Sequence, residues 1–184
     1  MREDLLDVAE RMVQDRGLNA VSFQHLADAV GLSKPSVFHH FPNKGALAQA
    51  LLERCRTHYG EAYDGIVSDE TGAVDKLNRI AALYAEGVES GQLCLLGVLG
   101  HGVATLPDET QQDLRLKIAG AVDRFSRVFE QGRREASLRF EGTPEAAAEA
   151  FLGMLQGLQI LARAQGNPAS VTAAAQIYIQ AISA

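Results

Sequence analysis

The chain has 184 residues, 47% of them apolar, with five prolines, no tryptophan, two cysteines and a formal net charge of −6. This length can bury a real core and hold a small domain plus a second, larger helical one, and the weak strand character favours an all-helical protein. The two cysteines, Cys55 and Cys94, exclude a disulfide framework and are expected to be reduced thiols.

The charge is unevenly placed. Residues 1–60 carry seven Lys/Arg against seven Asp/Glu, whereas residues 61–184 carry ten against sixteen, so the acidity belongs to the second part. Any phosphate contact in the first part then depends on the local placement of Lys34, Lys44, Arg54 and Arg56 rather than on a basic surplus.

The opening Arg-Glu-Asp leads directly into an amphipathic helix with Leu5, Val8, Ala9, Met12 and Val13, ending at Arg16-Gly17. It has no secretory pattern. The uncharged run from Leu93 to Leu106 is too short to span a bilayer and contains three glycines and His101. A cytoplasmic protein with no membrane partner is expected.

Residues 22–47 carry the most information. Ser22 is placed to cap a helix whose apolar residues Phe23, Leu26, Ala27 and Val30 fall on one face, and Gly31 supplies the left-handed backbone that ends it. Ser33 caps the next helix, with Pro35 in its first turn, where a missing N–H costs nothing. Val37 and Phe41 face inward, while Lys34, Ser36, Phe38 and His39 are left outward. Pro42 stops that helix, and Asn43 caps a third one that begins at Lys44 beside free backbone N–H groups suited to a phosphate. Two short helices around a glycine turn are the pattern of a helix-turn-helix DNA reader, although such pairs also occur in helical domains that never meet DNA.

The wording of the segment decides between these. Leu26-Ala27-Asp28-Ala29-Val30-Gly31-Leu32-Ser33-Lys34, followed by Phe38-His39-His40-Phe41-Pro42-Asn43-Lys44-Gly45-Ala46-Leu47, resembles the signature of the TetR family of bacterial transcriptional regulators over roughly the first third of the chain. The resemblance implies that Ser33, Lys34, Pro35, Ser36, Phe38 and His39 face the major groove of operator DNA, with Ser22 and Lys44 on flanking phosphates. Phe38 departs from the tyrosine usual in the family. It lacks the hydroxyl that would reach a phosphate and offers only apolar contact, for example to a thymine methyl. His40 is expected to pack. His39 and His40 cannot chelate one ion together, because successive helix positions diverge by about 100°.

Beyond residue 47 the pattern stays helical. Leu47, Leu51, Cys55, His58 and Ala62 form one stripe of a long helix, and Val74, Leu77, Ala81, Tyr84 and Val88 form another that stops near Gly91. The glycines of Gly97, Gly100 and Gly102 are in the wrong order for a dinucleotide loop, so a bent buried helix is expected. Pro107-Asp108 starts a helix with Leu114, Ile118, Ala121, Val122, Phe125, Phe129 and Gly132 on one side. Gly142-Thr143-Pro144-Glu145 reads as a cap with a first-turn proline, and Asn167-Pro168 reads the same way for the last helix. The fold expected is all-α with about nine helices. Residues 1–47 form a three-helix helix-turn-helix DNA-binding domain, and residues 48–184 form a larger helical ligand-binding and dimerisation domain.

Ala146, Ala150, Gly153 and Gly157 place small side chains in one line, with Phe151, Leu155 and Leu158 on a neighbouring face and Ile177, Tyr178 and Ile182 on the final helix. A two-fold four-helix homodimer interface is expected, the alternative being packing within one subunit. Tyr84, His101, Phe125, Phe129, Phe151 and Gln159 are candidates to line a small-molecule pocket, against the alternative that the aromatics are core.

The stretch Gly91-Gln92-Leu93-Cys94-Leu95-Leu96-Gly97 is similar to one in a branch of the family, some of whose members respond to electrophiles or oxidants, which adds Cys94 to the candidates. Three functions stay open: a repressor released by an unidentified small molecule, a thiol-based redox or electrophile sensor through Cys94, and a helical enzyme without DNA binding. No paired carboxylates, metal-ligand spacing or nucleophile elbow support the enzyme. No cofactor and no metal are expected.

Overall fold

The structure, a computed structural model, describes residues 1–184, excepting the side chains of Arg56, Thr57 and His58. Its helices are α1 (Arg2–Arg16), α2 (Phe23–Val30), α3 (Lys34–His40), α4 (Lys44–Ser68), α5 (Ala73–Glu89), α6 (Leu95–His101), α7 (Asp108–Arg134), α8 (Pro144–Gln165) and α9 (Ala169–Ile182). Short 3-10 turns occupy Leu18–Ala20 and Val103–Thr105. The all-α expectation holds, and among the described residues extended pairing is confined to an isolated bridge between Leu138 and Ser183.

The chain divides into two compact units. Met1–His58 joins Gly91–Lys117 in the first, and Tyr59–Ser90 joins Ile118–Ala184 in the second. The first therefore contains residues 1–47 and adds the start of α4, α6 and the start of α7.

In the first unit α1, α2 and α3 bury Leu5, Ala9, Val13, Leu26, Ala27, Val37 and Phe41 almost completely, and α6 packs on α1. Each fully buried leucine of this kind contributes roughly 2 kcal/mol. The run 93–106 is not one bent buried helix. It is the seven-residue α6, broken at Gly102 and followed by a 3-10 turn, with Leu95, Leu99 and Leu106 buried and His101 exposed. Three glycines within six positions weaken helix propagation, and covering only one residue per turn leaves the rest half-exposed.

In the second unit α5, α8 and α9 pack on one another. The inner side of α4 here carries Tyr63 and Ile66, and Tyr63 meets the rings of Tyr84 and Phe125. Ala62, expected on the inner stripe, is exposed; His58 of that stripe lies outside the described side chains. A buried Lys76 closes this end, donating to the Val67 carbonyl and to Gln131 Oε1, both at 2.8 Å. Gly132 is required where α7 meets the following turn, because a Cβ there would overlap the Leu138 side chain.

Thr143 caps α8 through its hydroxyl, which accepts the Ala146 N–H at 3.2 Å. Asn167 does not cap α9 by its side chain. Its carbonyl accepts the Ser170 N–H and hydroxyl instead, because Pro168 already has helical φ and ψ.

Candidate nucleic-acid interface

The interface is assembled by local chemistry. Ser22 has extended backbone and its hydroxyl oxygen accepts the His25 N–H at 3.1 Å, which fixes the start of α2. Gly31 ends that helix with φ 68° and ψ 28°, a left-handed conformation that a side chain would strain. Ser33 then accepts the Ser36 N–H and exchanges a 2.8 Å bond with the Ser36 hydroxyl, so α3 starts two residues after the turn. The Asn43 side chain accepts the Ala46 N–H at 2.8 Å and starts α4. Three caps in 22 residues thus set the angles between α2, α3 and α4.

Val37 and Phe41 anchor α3 inward, leaving Ser33, Lys34, Pro35, Phe38 and His39 exposed and Ser36 half-exposed. Phe38 is 44% exposed, and its ring is fixed rather than loose. It stands edge-on to Phe23 at 4.8 Å, with the Lys34 ammonium 5.9 Å from its centroid. Ser22 and Lys44 are half-buried at the flanks. His40 is half-buried with its ring beside those of His39 and Phe41.

Among the basic residues considered for phosphate contact, Lys34 points outward and Lys44 donates to the Asn19 carbonyl at 2.7 Å. Arg54 is a correction. Its guanidinium pairs with Glu3, Asp7 and Glu10 on α1 and is only 14% exposed, so it serves the packing of α1 on α4. The Arg56 side chain lies outside the described residues. Sequence reasoning missed Asn19 and Thr105, whose side chains bond across 86 positions, a separation that no local pattern signals.

The second unit holds the other expected residues. Tyr84, Phe125, Phe129, Phe151 and Gln159 are brought together, all nearly fully buried, and Gln159 donates to the Tyr84 carbonyl at 3.0 Å. Phe151 is the hub, with ring centres 6.3 Å from Phe125, 5.9 Å from Phe129 and 6.0 Å from Tyr178. These rings pack as core. Cys94, half-buried at the N-cap of α6, and His101, exposed at its end, belong to the first unit.

A cavity of about 500 Å³ opens instead between Asp64, Gly65, Val67, Ser68, Arg127, Gln131 and Arg134, none of which the sequence pointed to. Arg124 donates to Asp64 there at 2.7 Å and holds its carboxyl below the usual carboxylate range. Among the described residues no three His, Cys, Asp or Glu side chains converge as a metal site.

On α8, Ala146, Ala150, Gly153 and Gly157 are all exposed, as are Ile160 at 61% and Leu161 at 56%, while Phe151 and Leu155 fill the core behind them. On α9, Ile177 is 70% exposed, and Tyr178 is half-buried against Phe151, with burial pushing its phenol pKa up.

The family model described as bacterial regulatory proteins of the TetR family matches residues 5–51, the span from α1 to the start of α4. The chain is 26% identical over 170 residues to the HTH-type transcriptional repressor NemR of Escherichia coli K12, covering 88% of this chain and 83% of the repressor. A crystal structure of a TetR-family transcriptional regulator from Agrobacterium tumefaciens superposes with a TM-score of 0.93 at 23% identity, covering 100% of this chain and 97% of that one. The structure of AibR in complex with isovaleryl coenzyme A and operator DNA shares the fold with a TM-score of 0.76 at 24% identity, covering 94% of each chain. With the capped helix-turn-helix in place and the TetR family model matched across it, residues 5–51 are a helix-turn-helix segment of the TetR type, and the chain is similar along most of its length to transcriptional regulators of that family.

Proposed function

We propose that the chain is a cytoplasmic repressor that binds operator DNA as a homodimer through α3 and is released when a small molecule binds its second unit. The observation that carries this reading is the outward row Lys34, Phe38 and His39 on a helix held by two caps and two buried anchors. A lysine beside a fixed aromatic ring suits the major groove, where Lys meets guanine O6 or N7 and an apolar ring meets a thymine methyl.

Dimerisation is supported by the uncovered face of α8 and α9. Exposed Ile160, Leu161 and Ile177 around the small residues Ala150, Gly153 and Gly157 leave room for a second copy's helices to approach closely. A reader of two half-sites needs two copies in any case.

Binding of a small molecule is supported by the AibR structure, a related fold in complex with isovaleryl coenzyme A and operator DNA; release from DNA is our reading of what such binding does. Because the aromatic layer around Phe151 is filled as core, our candidate ligand site is the cavity of about 500 Å³ lined by Asp64, Val67, Arg127, Gln131 and Arg134. A ligand shifts DNA binding only by its differential affinity for the two states, so a tenfold release needs about 1.4 kcal/mol.

DNA selected by the protein from a random duplex library, followed by gel shifts with candidate acyl thioesters and small electrophiles, tests the reading. Enrichment of a two-fold symmetric sequence supports it, and failure to enrich any sequence refutes it. Cys94 at the N-cap of α6 supports a second reading, a thiol response. Cys94→Ser separates the two, since a thiol sensor loses its response to oxidant while a ligand sensor keeps its induction.

A further inference from the structure

Within the first unit, the segment 91–117 is laid against the reader where α4 begins. Asn19, in the 3-10 turn after α1, donates from Nδ2 to Thr105 Oγ1 at 3.3 Å, and the Thr105 hydroxyl donates to the Gly102 carbonyl at 2.8 Å. The backbone carbonyl of the same Asn19 accepts Lys44 Nζ at 2.7 Å. Asn19 therefore touches both Thr105 and Lys44.

The next residue of α4 repeats the connection by packing. A Cβ on Gly45 would lie 2.5 Å from Cγ of Pro107, so only glycine lets the start of α7 come this close. One and two turns further along, Gln49 donates to Asp113 at 3.1 Å, and Lys117 lies 3.6 Å from Glu53. The spacing of Gly45, Gln49 and Glu53 puts all three on one side of α4, so its first turns run beside those of α7.

We propose that Asn19, Gly45, Thr105 and Pro107 form a seat that positions the Lys44 ammonium for a DNA phosphate. The inference rests on the reading of Lys44 as a phosphate contact. A free lysine loses rotamer freedom when it binds, whereas one already tied to a fixed carbonyl has met that loss in the free protein. Its ammonium has three donors, of which the Asn19 carbonyl takes one. Asn19 and Thr105 act here as positioning residues and need not touch DNA. The α6–α7 segment then sets DNA affinity through a residue that belongs to the reader, without any change in α3.

The test measures fluorescence anisotropy on duplexes selected by the protein from a random library, over a range of salt, with unfolding midpoints taken on the same samples. Thr105→Val deletes the exposed hydroxyl at constant shape and weakens binding about threefold to fivefold, with the midpoint unchanged. Gly45→Ala weakens it about tenfold by displacing Pro107, and adding Pro107→Ala, which removes the clashing ring, restores it.

In a Lys44→Met background, which keeps the stem without the charge, Thr105→Val has no further effect. Thr105→Val acting equally in that background, or remaining silent while Lys44→Met weakens binding, overturns the seat. Lys44→Met with unchanged affinity and salt slope overturns instead the phosphate reading on which it stands. Should Gly45→Ala fail to fold, the Thr105→Val pair carries the decision alone.

Discussion

The guanidinium of Arg54 lies 3.1 Å from the Glu10 carboxylate and also pairs with Asp7 and Glu3, so one cation of α4 binds three carboxylates of α1. Glu10 is only 9% exposed in this pair, which makes the guanidinium the main reason its charge is tolerated. Arg54→Ala is expected to lower the free energy of unfolding by about 3 kcal/mol, read from urea denaturation. It should leave the salt slope of DNA binding unchanged, whereas Lys34→Ala and Lys44→Ala should each lower that slope by about one. A slope lowered by Arg54→Ala would return this residue to the phosphate contacts.

The turn between α2 and α3 gives a second test. No atom lies within 4 Å of a Cβ built on Gly31, so the cost of Gly31→Ala comes from its φ of 68° alone. About 1 kcal/mol of destabilisation is expected, seen as a lower thermal midpoint. An unchanged midpoint would mean that the turn does not need the left-handed residue.

Phe38 separates base reading from phosphate binding. Phe38→Tyr supplies the missing hydroxyl, and a hydrogen bond to a charged phosphate raises affinity by up to about tenfold while adding no cation, so the salt slope stays constant. Replacing the contacted thymine by deoxyuridine should weaken the native protein, because only the methyl is removed. Binding indifferent to every such replacement would take Phe38 out of base recognition.

The proposed dimer face on α8 and α9 predicts a change in mass without a change in fold. Ile177 is 70% exposed, so Ile177→Glu disturbs nothing in the subunit core, and Gly157→Arg fills the space that a partner helix would use. Both variants are expected to sediment as monomers with native helix content. A native-like dimer in both would place the interface elsewhere.

Acid stability follows from paired carboxylates. Arg124 beside Asp64 and Arg79 beside Asp69 hold both carboxyls below their usual value, and Gln131 with the Ala73 N–H does the same for Glu135. Each folded pKa is lowered, so the unfolded chain binds protons first as pH falls. The stabilisation is present above the unfolded pKa of about 4 and is lost as pH falls through the folded values. Urea midpoints should fall as the pH drops below about 4, and Asp64→Asn with Asp69→Asn should flatten part of that fall. Because the pairs are exposed, the effect is small.

The helix ends were legible because capping is local. Ser22, Ser33, Asn43 and Thr143 each bond an N–H three residues away, and Gly31 differs from its neighbours in backbone freedom alone. Interior partners were less legible. The exposure of Ala62 and His101 depends on which elements cover them, and Arg54 reads as a free basic residue until α1 brings Glu10 against it. The Asn19–Thr105 bond and the Gly45–Pro107 approach join residues 86 and 62 positions apart, and no periodicity links such pairs. The aromatic positions on α5, α7 and α8 were readable as a cluster, but the choice between core and pocket depends on how tightly Phe151 fills the space among them.

The most direct test of the account is a DNase footprint of the purified protein on DNA flanking its own gene. The account predicts two protected half-sites related by a two-fold axis, with centres about one helical turn or a multiple of it apart, and protection lost in Lys34→Ala/Lys44→Ala. A single unpaired half-site, or protection that survives loss of both lysines, would contradict it.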